Sequence, residues 1–377
     1  MPNPVADLLA HHVSARHCPG ALAHVERAGR VLAREAVGHV QPDASTAMHP
    51  GVRFRIASLT KPAVTVAALQ LVDEGRLALD TPVADLLPAL RGLRLANGMA
   101  PVRPPTVLDL MRHTSGLSYP FEILDPAVRQ AWLDSGLTAS LTGLDAPAFL
   151  ARLAGLPLAA EPGGAFRYGY STDVLGCVIE AIDGVPLAQS LQRRLLDPLG
   201  MAHSSFELSP REAAGQDPDL ATAHADDAGW HSVAPPIGRR EPGRPWMDSG
   251  GAGLISTLDD VAAFARLLAD GGVTPTGQRL LSAERASEMF RHQLPPGVDG
   301  PGAYCGPGFG FGLGLAVRLD WGSAAMPSSA GEGAWSGISG PALFVQPRAR
   351  WFAVLMTANM ATRMVCRMAL RREAGRV

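Results

Sequence analysis

Ser58 and Lys61 stand three residues apart in RIASLTKPAV (55–64), and Lys61 is the one lysine among 33 lysine and arginine residues. Residues three apart share a helix face, so hydroxyl and amine come within hydrogen-bond reach if a helix begins at or just before Ser58. A serine hydroxyl becomes a nucleophile when a base takes its proton. A lysine can be that base once burial or neighbouring positive charge lowers its pKa from about 10.4 towards neutrality. A guanidinium cannot, because it stays protonated to a pKa above about 12. A chain that uses arginine at every other cationic position and keeps lysine here keeps it where a removable proton is needed. The plainer alternative, Ser58 as a helix cap and Lys61 as a solvated side chain, leaves the lone lysine unexplained. A helix start would also aim free backbone N–H groups at whatever Ser58 attacks.

Other chemistries find no matching pattern. H-E-x-x-H, a Walker loop and a G-x-S-x-G elbow are all absent from the sequence, which argues against metalloprotease, nucleotide-dependent and α/β-hydrolase readings. The glycine-rich GFGFGLGL lacks phosphate-loop spacing and predicts a strand with large residues on one face. RHTSGL (112–117) reads as a structural turn, Thr257 with Asp260 as a helix start, and His113 and His203 as non-catalytic, since a lysine base needs no histidine. No metal and no organic cofactor is expected.

Net charge is −2 over 377 residues, with no run of like charges. Nucleic acid and membrane surfaces are therefore poor partners, and a small uncharged molecule is a better one. Cys18, Cys177, Cys305 and Cys366 show no C-x-x-C pairing and read as free thiols of a reducing compartment. The opening MPNPVADLLAHHVSARH has no secretory pattern, and no apolar run approaches the roughly 18 residues of a membrane span. The expectation is a cytoplasmic protein.

The elements that must position Ser58 and Lys61 follow from periodicity. Residues 4–16 predict an amphipathic helix, 21–40 a hairpin turning at Ala28-Gly29, and LTKPAVTVAALQLVDEG an apolar helix ended by Gly75. Short helices (106–112, 146–153, 186–196) then alternate with Pro- and Gly-rich connections. Strand patterns return at 309–319, 340–347 and 350–359, the last two joined by a turn at 346–349, and a helix over 361–372 closes the chain. The fold class is thus α/β (α+β): an antiparallel sheet flanked by N- and C-terminal helices and interrupted by a mostly helical lobe. Residues 1–80 and 250–377 are assigned to the sheet domain, with the S-x-x-K helix, and 81–249 to the helical lobe. Exposed strand edges allow a homodimer.

With S-x-x-K joined by RFRIASLTKPAVTVAALQLVDEGRLALDTPV (53–83), PTVLDLMRHTSGLSY (105–119), FRYGYSTDVLGCVIE (166–180), LLDPLGMAHSSF (195–206) and GGAGLISTLDDVAAFARLL (250–268), the chain resembles the serine β-lactamase and penicillin-recognising superfamily. The order and spacing are those of class C-like members, closest to the family VIII carboxylesterases. The resemblance implies a β-lactamase/transpeptidase-like fold and a tyrosine that shuttles protons with the lysine. Tyr168 matches it, with Tyr170 second. Tyr170 stands where β-lactamases and D-Ala-D-Ala peptidases carry an asparagine, and is expected at the substrate. Trp335-Ser336-Gly337 stands where they carry Lys-Thr-Gly, so the cation that attracts a substrate carboxylate is replaced by an apolar wall. By resemblance the N–H groups of Ser58 and Ile338 form the oxyanion hole, with Gly337 allowing close approach.

The expected function is a serine carboxylesterase acting on small uncharged esters, with Ser58 as nucleophile and Lys61 and Tyr168 as its proton-transfer partners. Weak β-lactam hydrolysis is expected beside it. The alternatives are a β-lactamase or D-Ala-D-Ala carboxypeptidase, an acyltransferase using the same serine, and a catalytically idle binding protein on the same fold.

Overall fold

The structure, a computed structural model, describes residues 4–42, 46–137, 141, 143–221, 224–225, 231–232, 244–320, 324 and 327–376. Helix α1 (Pro4–Ser14) leads into β1 (Gly20–Arg27) and β2 (Arg30–Gly38). Their hairpin turns where expected, with positive φ at both Ala28 and Gly29, the geometry that matches strand twist in a two-residue loop. The helix that follows Ser58, α2, spans Thr60–Asp73, and α3 spans Ser171–Asp183. Helix α4 (Leu258–Ala269) precedes the remaining strands of the main sheet. These are β3 (Phe309–Phe311), β4 (Ala316–Arg318), β5 (Gly333–Ser336), β6 (Ala342–Gln346) and β7 (Trp351–Thr357), followed by α5 (Arg363–Ala374).

The seven strands pair antiparallel in the order β3-β4-β5-β6-β7-β1-β2. Strand β7 is buried along its whole length, as a strand must be when both sheet faces are covered. Its alternate residues enter two separate cores. Trp351, Ala353 and Leu355 pack with Val5, Leu9 and Leu370 of the terminal helices, whereas Phe352, Val354 and Met356 join the larger core containing α2, α3 and α4. The same alternation sends Ala334 of β5 to the terminal helices and Trp335 to the larger core, so strand period alone aims Trp335 at the helical side.

The stretch expected as one strand, 309–319, is instead a tight hairpin of β3 and β4. Gly314 at φ 74° turns the chain, and a Cβ there would lie 2.5 Å from the Thr65 hydroxyl. Glycine is needed for the reversal and for contact with α2. Helices at Val107–Met111 and Ala146–Ala154 match expectation, while Pro126–Asp134 and α3 were not assigned as helices from the sequence. We propose that residues 1–80 with 250–377 and residues 81–249 describe the two lobes. Helix α2 packs chiefly on α3 and so lies at their junction. Among the described residues no single helix is long and apolar enough to cross a membrane.

A second, three-stranded sheet places Arg53–Arg55 between Leu220–Ala221 and Ile255–Ser256, anchoring the chain just before Ser58. In the helical lobe, Thr106 and Asp109 form a capping box, and Asp109 also accepts from Arg103, Arg112 and Thr114. Burial alone would raise the Asp109 pKa, but these hydrogen bonds outweigh it and hold the carboxyl at about 2. A carboxyl depressed below its unfolded value of 3.8 stabilises the fold above that pH, and the contribution disappears as pH falls towards the folded value. Asp109→Asn should therefore cost on the order of 2 kcal/mol at pH 7. Urea unfolding across pH should show a flatter stability profile than the parent between about pH 4 and 2.

Candidate active site

Ser58 lies in a single 3-10 turn, Ala57–Leu59, that runs directly into α2. Ala57 is held at φ 47°, a left-handed conformation that non-glycine residues adopt at a cost and that clusters at functional sites. The turn is tied on both sides. Thr60 Oγ1 donates to the Ala57 carbonyl (2.7 Å) and accepts from Leu254 N–H (3.1 Å), and Ile56 N–H donates to the Leu254 carbonyl (3.0 Å). Pro62 falls in the first turn of α2, where a missing N–H is tolerated.

Lys61 is 1% exposed. Its Nζ donates to the Gly251 carbonyl at 2.7 Å and lies 3.4 Å from Ser58 Oγ. Among the described residues no carboxylate comes within 4 Å of this amine. The Gly251 peptide is itself held. Its N–H donates to Asp173 Oδ1 (2.9 Å), which also accepts from Ser249 Oγ (2.6 Å). Burial raises the pKa of the Asp173 carboxyl, against the opposing effects of the Lys61 charge and these two donors. A Cβ on Gly251 would sit 2.4 Å from Asp173 Oδ2, so only glycine lets the carbonyl reach Lys61 while the N–H reaches Asp173.

Tyr168 meets Lys61 through its ring, whose centroid lies 4.6 Å from Nζ. Its buried hydroxyl has no hydrogen-bond partner among the described residues. The relay hydrogen bond implied by the resemblance is thus not made here, and the contact is a cation–π one. Around Tyr168 stand His113 (4.8 Å between ring centroids), Tyr304 (5.0 Å), Trp335 (5.3 Å) and Tyr119 (5.5 Å). Tyr304 donates to Glu122 Oε1, bridging residues 302–305 and 120–122. Burial, and then the Lys61 charge, hold the His113 pKa well below its usual value, so its ring is a neutral wall. RHTSGL therefore reaches the site, beyond the structural turn expected of it.

Tyr170 does not line the site. The residue is 1% exposed, with its ring packed against Tyr119, Trp132 and Phe149 of the helical lobe, which corrects its expected contact with substrate: the ring is spent on the aromatic core. Ser336 follows Ala334 to the α5 side by strand alternation and borders a small cavity with Met364, Arg367 and Met368. Gly337 abuts the nucleophile turn, since a Cβ there would lie 2.3 Å from the Ile56 carbonyl. Ser339 Oγ donates to the Arg55 carbonyl (2.8 Å), fastening the turn that carries Ile338 to the segment just before Ser58. Sequence reasoning missed Tyr119, Gly251, Asp173 and Tyr304. Tyrosine was the available signal: the chain has four, and all four share one aromatic cluster.

Among the described residues no group of three or more His, Cys, Asp or Glu side chains could hold a metal ion. A cavity of about 670 Å³ bordered by Glu180, Gln189, Phe206 and Trp246 includes none of Ser58, Lys61 or Tyr168. The chemistry, rather than the volume, locates the site.

The family model described as Beta-lactamase matches residues 5–374. The chain belongs to the beta-lactamase family. Within this family it is 36% identical to Esterase EstB of Burkholderia gladioli over 360 residues, covering 92% of this chain and 87% of that one. It is 32% identical to Penicillin-binding protein 4 of Amycolatopsis lactamdurans, over 78% of this chain and 71% of the relative. Among solved structures, EstCE1, described as a hydrolase with promiscuous acyltransferase activity, superposes with a TM-score of 0.84 at 28% identity, covering 98% of this chain and 97% of its own. The mixed α/β fold with a large antiparallel sheet is that of the family.

The Gly251 contact yields a prediction. Gly251→Ala should push the peptide off Asp173 and move its carbonyl from Lys61. Ester turnover should fall by roughly 10²-fold, the scale of a misplacement near 1 Å, with KM little changed in steady-state assays.

Proposed function

We propose that this chain is a serine carboxylesterase that cleaves small uncharged esters through an acyl-enzyme on Ser58. The observation that carries the reading is a buried lysine beside a serine, with no carboxylate partner among the described residues and with Trp335 where a second cation would otherwise stand. Ser58 Oγ attacks the ester carbonyl carbon as Lys61 Nζ takes its proton. The tetrahedral oxyanion is received by the N–H groups of Ser58 and Ile338. The C–O bond then breaks, and the alkoxide leaves with a proton delivered through Lys61 and Tyr168. Water, deprotonated by the same pair, attacks the acyl-enzyme and releases the acid and free Ser58.

Trp335 is 4% exposed and contacts Tyr168 and Phe311. It gives the acyl site an apolar wall that favours uncharged substrates over carboxylate-bearing β-lactams. The names of EstB and EstCE1 agree with this reading. Acyl transfer to an alcohol is the second reading, favoured by the description of EstCE1, and needs only an alcohol in place of water. The four free cysteines support a reducing compartment, the cytoplasm, as part of the same proposal. A homodimer is the corresponding proposal for assembly.

Two assays test the function. A fluorophosphonate should add to Ser58, with the adduct located by mass spectrometry and lost in Ser58→Ala. The kcat/KM for short p-nitrophenyl esters should exceed that for a chromogenic cephalosporin by at least about 10³-fold; a preference for the cephalosporin would reverse the ranking. Tyr168→Phe should lower ester kcat by about 10²-fold or more, the usual weight of a proton-transfer group, in steady-state kinetics with the same esters.

A further inference from the structure

Helix α5 carries Arg367 and Arg371 one turn apart, and both point at β5. Arg371 forms a buried ion pair with Glu332, the residue before β5, through Nε to Oε1 at 2.6 Å. Arg367, 6% exposed, has no carboxylate partner among its described contacts. Its guanidinium donates to three backbone carbonyls of the turn after β5: Gly337, Gly340 at 3.1 Å and Pro341 at 3.4 Å. Burial, and then the neighbouring Arg363, pull its pKa down to about 9, which leaves it charged at neutral pH. A buried arginine spent on main-chain carbonyls rather than an acid calls for a reason.

The reason lies in the peptide unit. The Gly337 carbonyl and the Ile338 N–H belong to one planar trans group, in which C=O and N–H point in opposite directions. A guanidinium on the oxygen fixes the direction of the N–H. It also draws electron density from the amide nitrogen, making that N–H a stronger donor. Ser339, bonded to the Arg55 carbonyl, holds the same turn from the nucleophile side.

We propose that Arg367 is a positioning residue for transition-state stabilisation: it orients and polarises the Gly337–Ile338 peptide so that Ile338 N–H receives the oxyanion formed on Ser58. This rests on the esterase reading and on Ile338 as an oxyanion donor. The effect belongs to the charged tetrahedral state and not to ground-state binding.

The test compares Arg367→Lys and Arg367→Met with the parent and with Arg371→Lys, which alters the far end of the same strand. The readouts are kcat, KM, thermal midpoint and the inhibition constant of an aryl trifluoromethyl ketone, which forms a tetrahedral oxyanion on serine. Both Arg367 variants should lose about 10²-fold in kcat, with KM within about twofold, and ketone affinity should fall by a similar factor. Arg367→Met should recover part of its turnover in guanidinium chloride at tens of millimolar, well below denaturing concentrations. Arg371→Lys should lower the thermal midpoint while keeping ketone affinity. The inference is overturned if the Arg367 variants keep the parent's ketone affinity, or if they lose stability and activity in the pattern of Arg371→Lys. Ser58→Ala separates the two layers. If it retains turnover, the esterase reading itself is wrong, whereas an inactive Ser58→Ala beside an Arg367→Lys of normal ketone affinity defeats the Arg367 inference alone.

Discussion

A lysine amine buried without an acid beside it is the constraint on which the site depends. An ion pair would fix the side chain as a cation, whereas a carbonyl accepts a hydrogen bond from an ammonium or an amine alike. Lys61 has the carbonyl of Gly251, the hydroxyl of Ser58 and the face of Tyr168. The nearby acid, Asp173, reaches it only across a peptide: it holds Gly251 N–H while Lys61 holds Gly251 C=O. The acid therefore positions the peptide that holds the amine without itself bonding to the amine.

Much of the surrounding architecture keeps that arrangement fixed. Two loops make contacts closer than a Cβ permits, and glycine stands at both, Gly251 against Asp173 of α3 and Gly337 against Ile56 beside the nucleophile turn. The central strands are pinned from either face, by Glu26 of β1 with Arg266 of α4 and by the arginines of α5. Alternation along β5 then decides which residues meet the site and which meet the terminal helices. Tyr304, stacked near the Tyr168 ring, is held in turn by the bond from its hydroxyl to Glu122.

The sequence made the covalent chemistry more legible than the walls around it. A lone lysine three places after a serine is a local signal, and helical spacing was enough to bring the two groups together. The terminal helices, the hairpin at Ala28-Gly29 and the strands of β6 and β7 were equally local, being written in periodicity and turn residues. What stayed hidden depended on distant chain segments. Gly251 lies 190 residues from Lys61 and looks like any glycine of a loop, and Asp173 looks like an ordinary acid in the first turn of a helix. Tyr170 was placed at the substrate because its motif position suggested it, but the direction of a side chain at a helix start is set by packing, here against Trp132 and Phe149. The 309–319 stretch failed as a single strand because glycine fits a strand with large residues on one face as well as a reversal, and Gly314, at φ 74° between the paired β3 and β4, is a reversal.

The central claim is that an amine able to accept the proton of Ser58, and not merely a positive charge, occupies position 61. Rapid-mixing kinetics of acylation by a p-nitrophenyl ester in Lys61→Arg test it most directly, because the substitution supplies a permanent cation and removes the base. The account predicts that the rate constant of the nitrophenolate burst falls by about 10³-fold or more, in protein whose thermal unfolding shows a retained fold. A burst within tenfold of the parent's would contradict it.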